Sequence, residues 1–166
     1  MLNAFKKIKQ NYLIKSLLHR ERRRTIKNMD QVRTIGIVFH LGDELSWKYL
    51  YTIVQELERS NRRVHMICDQ PDGHDIDYII THSQTTLCHL KEDFDHWGVP
   101  RESSTSNFLA RRYDALIDTT GGDSFFSRYI MLRADADLKE IANFQVSSNN
   151  VYNDPRDYYA VINNCN

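Results

Sequence analysis

The chain has 166 residues, 41% of them hydrophobic, with nine tyrosines and 22 basic against 22 acidic side chains. That length suits one domain able to bury a core without metal or disulfide, and no apolar run approaches the roughly 20 residues that span a bilayer. The three cysteines, Cys68, Cys88 and Cys165, are odd in number and widely spaced, which argues against a disulfide framework or zinc knuckle. Lys6, Lys7 and Lys9 interrupt the N-terminal apolar residues, so no secretory leader is read there and a reducing cytoplasm is expected.

Charge is unevenly spread. Residues 1–33 hold ten Lys/Arg and two acids, and the remainder holds 12 Lys/Arg and 20 acids. A basic arm over 1–33 is therefore expected, followed by an acidic body over 34–166. The arm either seeks an anionic partner or folds back on that body. Residues 5–24 lack Gly and Pro and place Phe5, Ile8, Tyr12, Ile14, Leu17 and Leu18 among Lys6, Lys7, Lys9, Lys15, Arg20, Arg22, Arg23 and Arg24. The pattern predicts a basic helix suited to an anionic membrane surface or a protein partner. Nucleic acid fits less well, because the arm lacks a groove-reading motif.

Residues 34–57, TIGIVFHLGDELSWKYLYTIVQEL, predict strand, tight loop and helix. Residues 34–39 are apolar and rich in β-branched side chains. In the helix that follows, Trp47, Leu50, Tyr51, Val54 and Leu57 share one face. RRVHMIC predicts a second strand reached by a parallel crossover. Next comes a turn cluster on Pro71 and Asp72-Gly73, then a short strand over 77–81. Asp72, His74, Asp75 and Asp77 fit no calcium-loop spacing. His82, His89 and His96 recur every seventh residue, too far apart on a helix for one metal.

Residues 87–97 read as helical, ended by Gly98 and Pro100, and a second short helix is expected over 104–112. A buried strand at 115–117 ends at Asp118. It is followed by the small-residue loop 119–122 and a helix that Asp123 or Ser124 caps, with Phe125, Phe126, Tyr129, Ile130 and Leu132 supplying apolar surface. A strand over 136–141, a polar connection over 143–157 and a last strand over 158–163 complete the order.

In open parallel sheets, ligands bind beyond the carboxyl ends of the strands. Two loops qualify if their strands are neighbours: His40, Gly42 and Asp43 after the first strand, and Asp118, Thr119, Thr120, Gly121, Gly122 and Asp123 after the strand at 115–117. The glycines let backbone amides approach a phosphate or sugar, the threonines donate hydrogen bonds, and Asp43 or Asp123 serves as base or hydroxyl acceptor. The competing reading makes the same aspartates and threonines helix caps and the glycines turns. Three carboxylates in one crevice also disfavour an anion unless a cation joins them. No dinucleotide or Walker loop, no nucleophile elbow and no metal cluster is present, and no cofactor is assigned.

The basic N-terminal helix, TIGIVF, QELERSNRRVHMI, LKEDFDHWGVP and YDALIDTTGGDSFFSRYIMLRADADLKEI together resemble an uncharacterised bacterial family of small Rossmann-like proteins, found mainly in Bacteroidetes and known only as a domain of unknown function. The resemblance implies a fold and no activity. It also implies a further helix after a strand like DYYAVIN, and a sheet face lacking that helix would be covered by a partner, hence a homo-oligomer. HLGDELS followed much later by YDALIDTT is similar to the acceptor-side half of heptosyltransferase-type glycosyltransferases. By that likeness Asp43 would be the base that deprotonates an acceptor hydroxyl.

The expectation is thus an α/β Rossmann-like three-layer sandwich, a mainly parallel sheet with helices on both faces and an appended basic helix. The leading functional reading is a non-catalytic binding or scaffold protein at the cytoplasmic membrane surface. The alternative is a small enzyme or a sugar-phosphate or nucleotide binder using the two polar loops.

Overall fold

The computed structural model describes residues 2–18, 29–42, 44–70, 84–122 and 124–142. Among them, five parallel strands form one sheet in the order β3-β2-β1-β4-β5. They are β1 (Thr34–His40), β2 (Arg63–Gln70), β3 (Thr85–His89), β4 (Arg112–Asp118) and β5 (Asp135–Ile141). Four α-helices, α1 (Leu2–Leu18), α2 (Glu44–Arg59), α3 (Glu102–Leu109) and α4 (Phe125–Arg133), surround it. This is the expected Rossmann-like α/β arrangement. The expected features at 19–28, 71–83 and 143–166, among them Arg20, Arg22, Arg23, Arg24 and the strands over 77–81 and 158–163, lie outside the described residues.

One sheet face belongs to α2. Ile35, Ile37 and Phe39 of β1 and Val64, Met66 and Cys68 of β2 alternate onto that face. There they meet Trp47, Leu50, Ile53, Val54 and Leu57, all under 9% exposed. Ile53 takes the buried place expected of Tyr51, which is half-buried and stacks on Trp47 at 5.7 Å. The opposite face is shared by α3, α4 and α1. Val38, Ile67 and Leu116 pack there on Phe108, Phe126 and Ile130, with Leu13, Ile14 and Leu17 of α1 closing the outside. Gly36 belongs to this side, because a Cβ on it would stand 2.7 Å from Leu116 Cδ1 and 3.1 Å from both Phe108 and Tyr113.

Helix α1 is held at the turn around Trp97. Gln10 Nε2 donates to the Trp97 carbonyl at 2.9 Å, and the Lys9 ammonium sits 4.9 Å from the Trp97 ring centroid. Phe5, Ile8 and Tyr12 face outward, 57%, 63% and 74% exposed.

Two expectations are corrected. Residues 87–97 are not a helix: Thr85–His89 is the edge strand β3, and the chain then turns back so that Phe94 bridges Pro100. Asp93 Oδ2 accepts the His89 N–H at 2.7 Å, while Asp95 Oδ1 accepts those of Trp97 and Val99 at 2.8 and 2.9 Å. These carboxylates satisfy the amides that a helix would have used. The short helix expected over 104–112 is Glu102–Leu109, since Arg112 already pairs with Asp135 in β4–β5.

Candidate functional site

The strand order reverses at β1, whose chain leads outward through β2 to β3 on one side while β4 and β5 lie on the other. At such a switch point the loops leaving the two central strands diverge and open a crevice at their carboxyl ends. Strands β1 and β4 are neighbours, in register from Ile35↔Ala115 to Val38↔Asp118. Thr119 fastens their ends together, since its N–H and its hydroxyl both donate to the Val38 carbonyl, at 2.9 and 3.1 Å.

The resulting cleft has a volume of about 480 Å³. Its walls are Phe39 and His40 at the end of β1, Leu41 and Gly42 just after it, Ser46, Trp47, Tyr49 and Leu50 on the first turns of α2, and Thr119, Thr120 and Ser124 after β4. Asp69 closes the end beside β2. Ser124 caps α4, its hydroxyl oxygen accepting the Ser127 N–H at 2.9 Å. The N-terminal ends of α2 and α4 therefore both open on the same space, which favours negative charge there.

His40 and Asp69 are paired in the β1–β2 register, and their side chains join at 2.9 Å between Nδ1 and Oδ1. The His40 side chain is 52% exposed and that of Asp69 is 12% exposed. Hydrogen bonding to Asp69 raises the His40 pKa above its ordinary 6.5; partial burial opposes this, and the carboxylate charge adds to it. Imidazolium character is thereby extended toward neutral pH at the mouth of the cleft. Among the described residues, Thr120 Oγ1, buried on the opposite wall, has no hydrogen-bond partner.

The two polar loops thus meet, but they do not pool all their residues. His40, Gly42, Thr119 and Thr120 line the switch-point cleft. Asp118 and Gly122 line a second cavity, and Gly121 makes the turn between them with φ +79°. Asp43 and Asp123 lie outside the described residues. Of the three carboxylates anticipated above, Asp118 is the one among the described residues, and it borders the other cavity, while Asp69 at the cleft is hydrogen-bonded to His40. Asp69 was missed because it closes an apolar strand. The available signal was its place at the carboxyl end of β2, next to the end of β1.

The remaining chemical groups are committed to structure. Burial pushes the Cys68 thiol well up and the Cys88 thiol up to about 12, so neither supplies a thiolate near neutral pH. His89 ends β3 and His96 packs on Trp97 at 4.5 Å, while His82 lies outside the described residues. Among the described residues, no three His, Cys, Asp or Glu side chains gather as a metal set, and no helix is long and apolar enough to cross a membrane.

A family model described as a family of unknown function, DUF6913, matches residues 6–153. The chain belongs to that family. No curated protein and no solved structure matches the chain. The family match spans both polar loops and most of α1, so the cleft and the docked helix fall within the matched segment.

Proposed function

We propose that this protein is a binding protein for a small hydroxylated anion, of the sugar-phosphate or mononucleotide class, held in the switch-point cleft. The observation that carries the reading is that the loops after β1 and β4 line one cleft of about 480 Å³ where the strand order reverses. Two helix N-termini and the Asp69-held imidazole of His40 favour an anionic group. Ser46, Thr119 and Thr120 offer hydroxyls to a polyol, and Trp47 and Tyr49 supply apolar wall. Thr120 Oγ1, buried without a partner among the described residues, gains a hydrogen bond when such a ligand enters.

A thermal-shift and calorimetric screen with glucose 6-phosphate, ribose 5-phosphate, AMP and UMP tests this, with the unphosphorylated parents as controls. A ligand at a hundred times its Kd stabilises the fold by about 2.7 kcal/mol, which at this chain length is roughly 5 to 10 °C in Tm. His40→Gln and Thr120→Val should each weaken binding about tenfold. Absence of a shift across the phosphorylated panel, or equal affinity in both variants, would overturn the reading.

A second reading concerns α1. Phe5, Ile8 and Tyr12 follow helical spacing on its outer face and stay exposed, with Lys7 and Lys15 also solvent-exposed. An anionic membrane surface suits that combination. Co-sedimentation with phosphatidylglycerol vesicles should be lost on Phe5→Ser/Ile8→Ser/Tyr12→Ser replacement and weakened by salt. Equal sedimentation of the triple variant would remove the membrane from the account.

A further inference from the structure

His40 brings more than charge to the switch-point cleft. It is the last residue of β1 and Asp69 the next-to-last of β2, so the parallel register sets them side by side. Asp69 is 8% exposed, and His40 Nδ1 donates to its Oδ1 at 2.9 Å. A carboxylate accepts but does not donate, so it holds the neutral ring in the tautomer protonated at Nδ1, which leaves the lone pair on Nε2. It also steadies any positive charge the ring acquires. Among the described residues, Nε2 takes part in no hydrogen bond. Two hydroxyls of the cleft wall are already engaged: that of Thr119 donates to the Val38 carbonyl, and the Ser124 oxygen accepts the Ser127 N–H.

We propose that His40 Nε2 is the nucleophile of a phosphomonoester hydrolase, with Asp69 as the residue that positions its ring. The proposal rests on the reading of the cleft as a site for sugar phosphates or mononucleotides. The Nε2 lone pair forms a P–N bond as the P–O bond to the sugar breaks, and the alcohol oxygen leaves with that electron pair and takes a proton from solvent. The phosphorylated ring is cationic and keeps its Nδ1 proton on Asp69. Water then attacks phosphorus and gives its proton to solvent, the P–N bond breaks, its electron pair returns to Nε2, and inorganic phosphate departs. The N-terminal ends of α2 and α4 open on the space where charge develops on the phosphoryl oxygens.

The test treats the full chain with phosphoramidate in mildly alkaline buffer, where more of the ring is neutral; here ammonia is the leaving group. Peptide mapping of the acid-labile, alkali-stable product should show His40 phosphorylated at least tenfold faster than any other histidine. Asp69→Asn should slow His40 at least tenfold and leave labelling of His65, His89 and His96 unchanged, a contrast that general misfolding would not produce. The native chain should also release phosphate from whichever of glucose 6-phosphate, ribose 5-phosphate, AMP and UMP raises its Tm. His40→Gln, at a half-exposed position that spares the core, should not release it. A ligand that raises Tm without being hydrolysed overturns the hydrolase and leaves the binding reading standing, whereas absence of both shift and release removes both. Labelling of His40 no faster than its fellows, labelling unaffected by a folded Asp69→Asn chain, or phosphate release that persists in His40→Gln would each overturn the proposal.

Discussion

The two faces of the sheet are covered by different means. Among the described residues, a single sixteen-residue helix, α2, covers one face with a continuous stripe from Trp47 to Leu57. Three separate helices cover the other, none of which does so alone, and the aromatic rings of Phe108, Tyr113 and Phe126 fill the spaces between them. Each face ends in a cavity of its own. On the α2 side His40 is paired with Asp69, while Thr120 Oγ1 is buried with no hydrogen-bond partner among the described residues. On the side of α1 and α4, Asp118 Oδ2 is buried with no hydrogen-bond partner among the described residues, beside a cavity that Arg128, Lys139 and Glu140 also line. A face closed by one amphipathic helix leaves its polar chemistry to the loops at the strand ends, whereas a face assembled from pieces also leaves a seam between helices, here lined by both apolar and charged side chains.

That contrast can be broken from either side. Leu57→Ala removes a fully buried side chain from the single-helix face and leaves a void in its place. Chemical denaturation should register a loss of about 2 to 5 kcal/mol. Gly36→Ala presses on the composite face. The added methyl collides with Leu116, Phe108 and Tyr113, and a smaller loss of about 1 to 3 kcal/mol is expected because rings between separate helices can give. If Gly36→Ala proves more damaging than Leu57→Ala, the composite face is the more rigid of the two and the comparison reverses.

The smallest effect belongs to the His40–Asp69 pair, and it is one of pH. The folded-state pKa of His40 is raised above 6.5, so the stabilisation it brings is fully present just below that value, above the carboxylate range. It is lost as pH rises through the raised folded value. The Tm difference between the native chain and His40→Gln should therefore be larger below pH 6.5 and should fade as pH rises through the raised folded-state value. A difference that grows with pH would show that His40 stabilises as a neutral ring, independently of Asp69.

The same asymmetry governs what could be read in the sequence. Strand β1 and helix α2 were legible because one helix facing one sheet must carry its whole apolar stripe, and Trp47, Leu50, Val54 and Leu57 display it at three- and four-residue spacing. Strand β3 was misread as helix because its apolar residues run into a turn whose amides are taken by the side chains of Asp93 and Asp95, a competition that periodicity does not reveal. In the site, His40, Gly42, Thr119 and Thr120 were legible from their positions after predicted strands. Asp69 was not, because its partnership with His40 spans 29 positions and depends on the β1–β2 register. Asp118 borders one cavity while its neighbours Thr119 and Thr120 line the other, a divergence at the end of β4 that sequence spacing does not encode.

The placement of the two tryptophans has an optical consequence. Trp47 lies in the cleft wall against Phe39 and Tyr51, while Trp97 is the point to which Gln10 and Lys9 tie helix α1. They are the only tryptophans in the chain. Trp97→Phe therefore leaves an emission spectrum that reports on the cleft alone, and Trp47→Phe leaves one that reports on whether α1 is seated, so filling of the cleft and release of the helix can be followed separately without an added label.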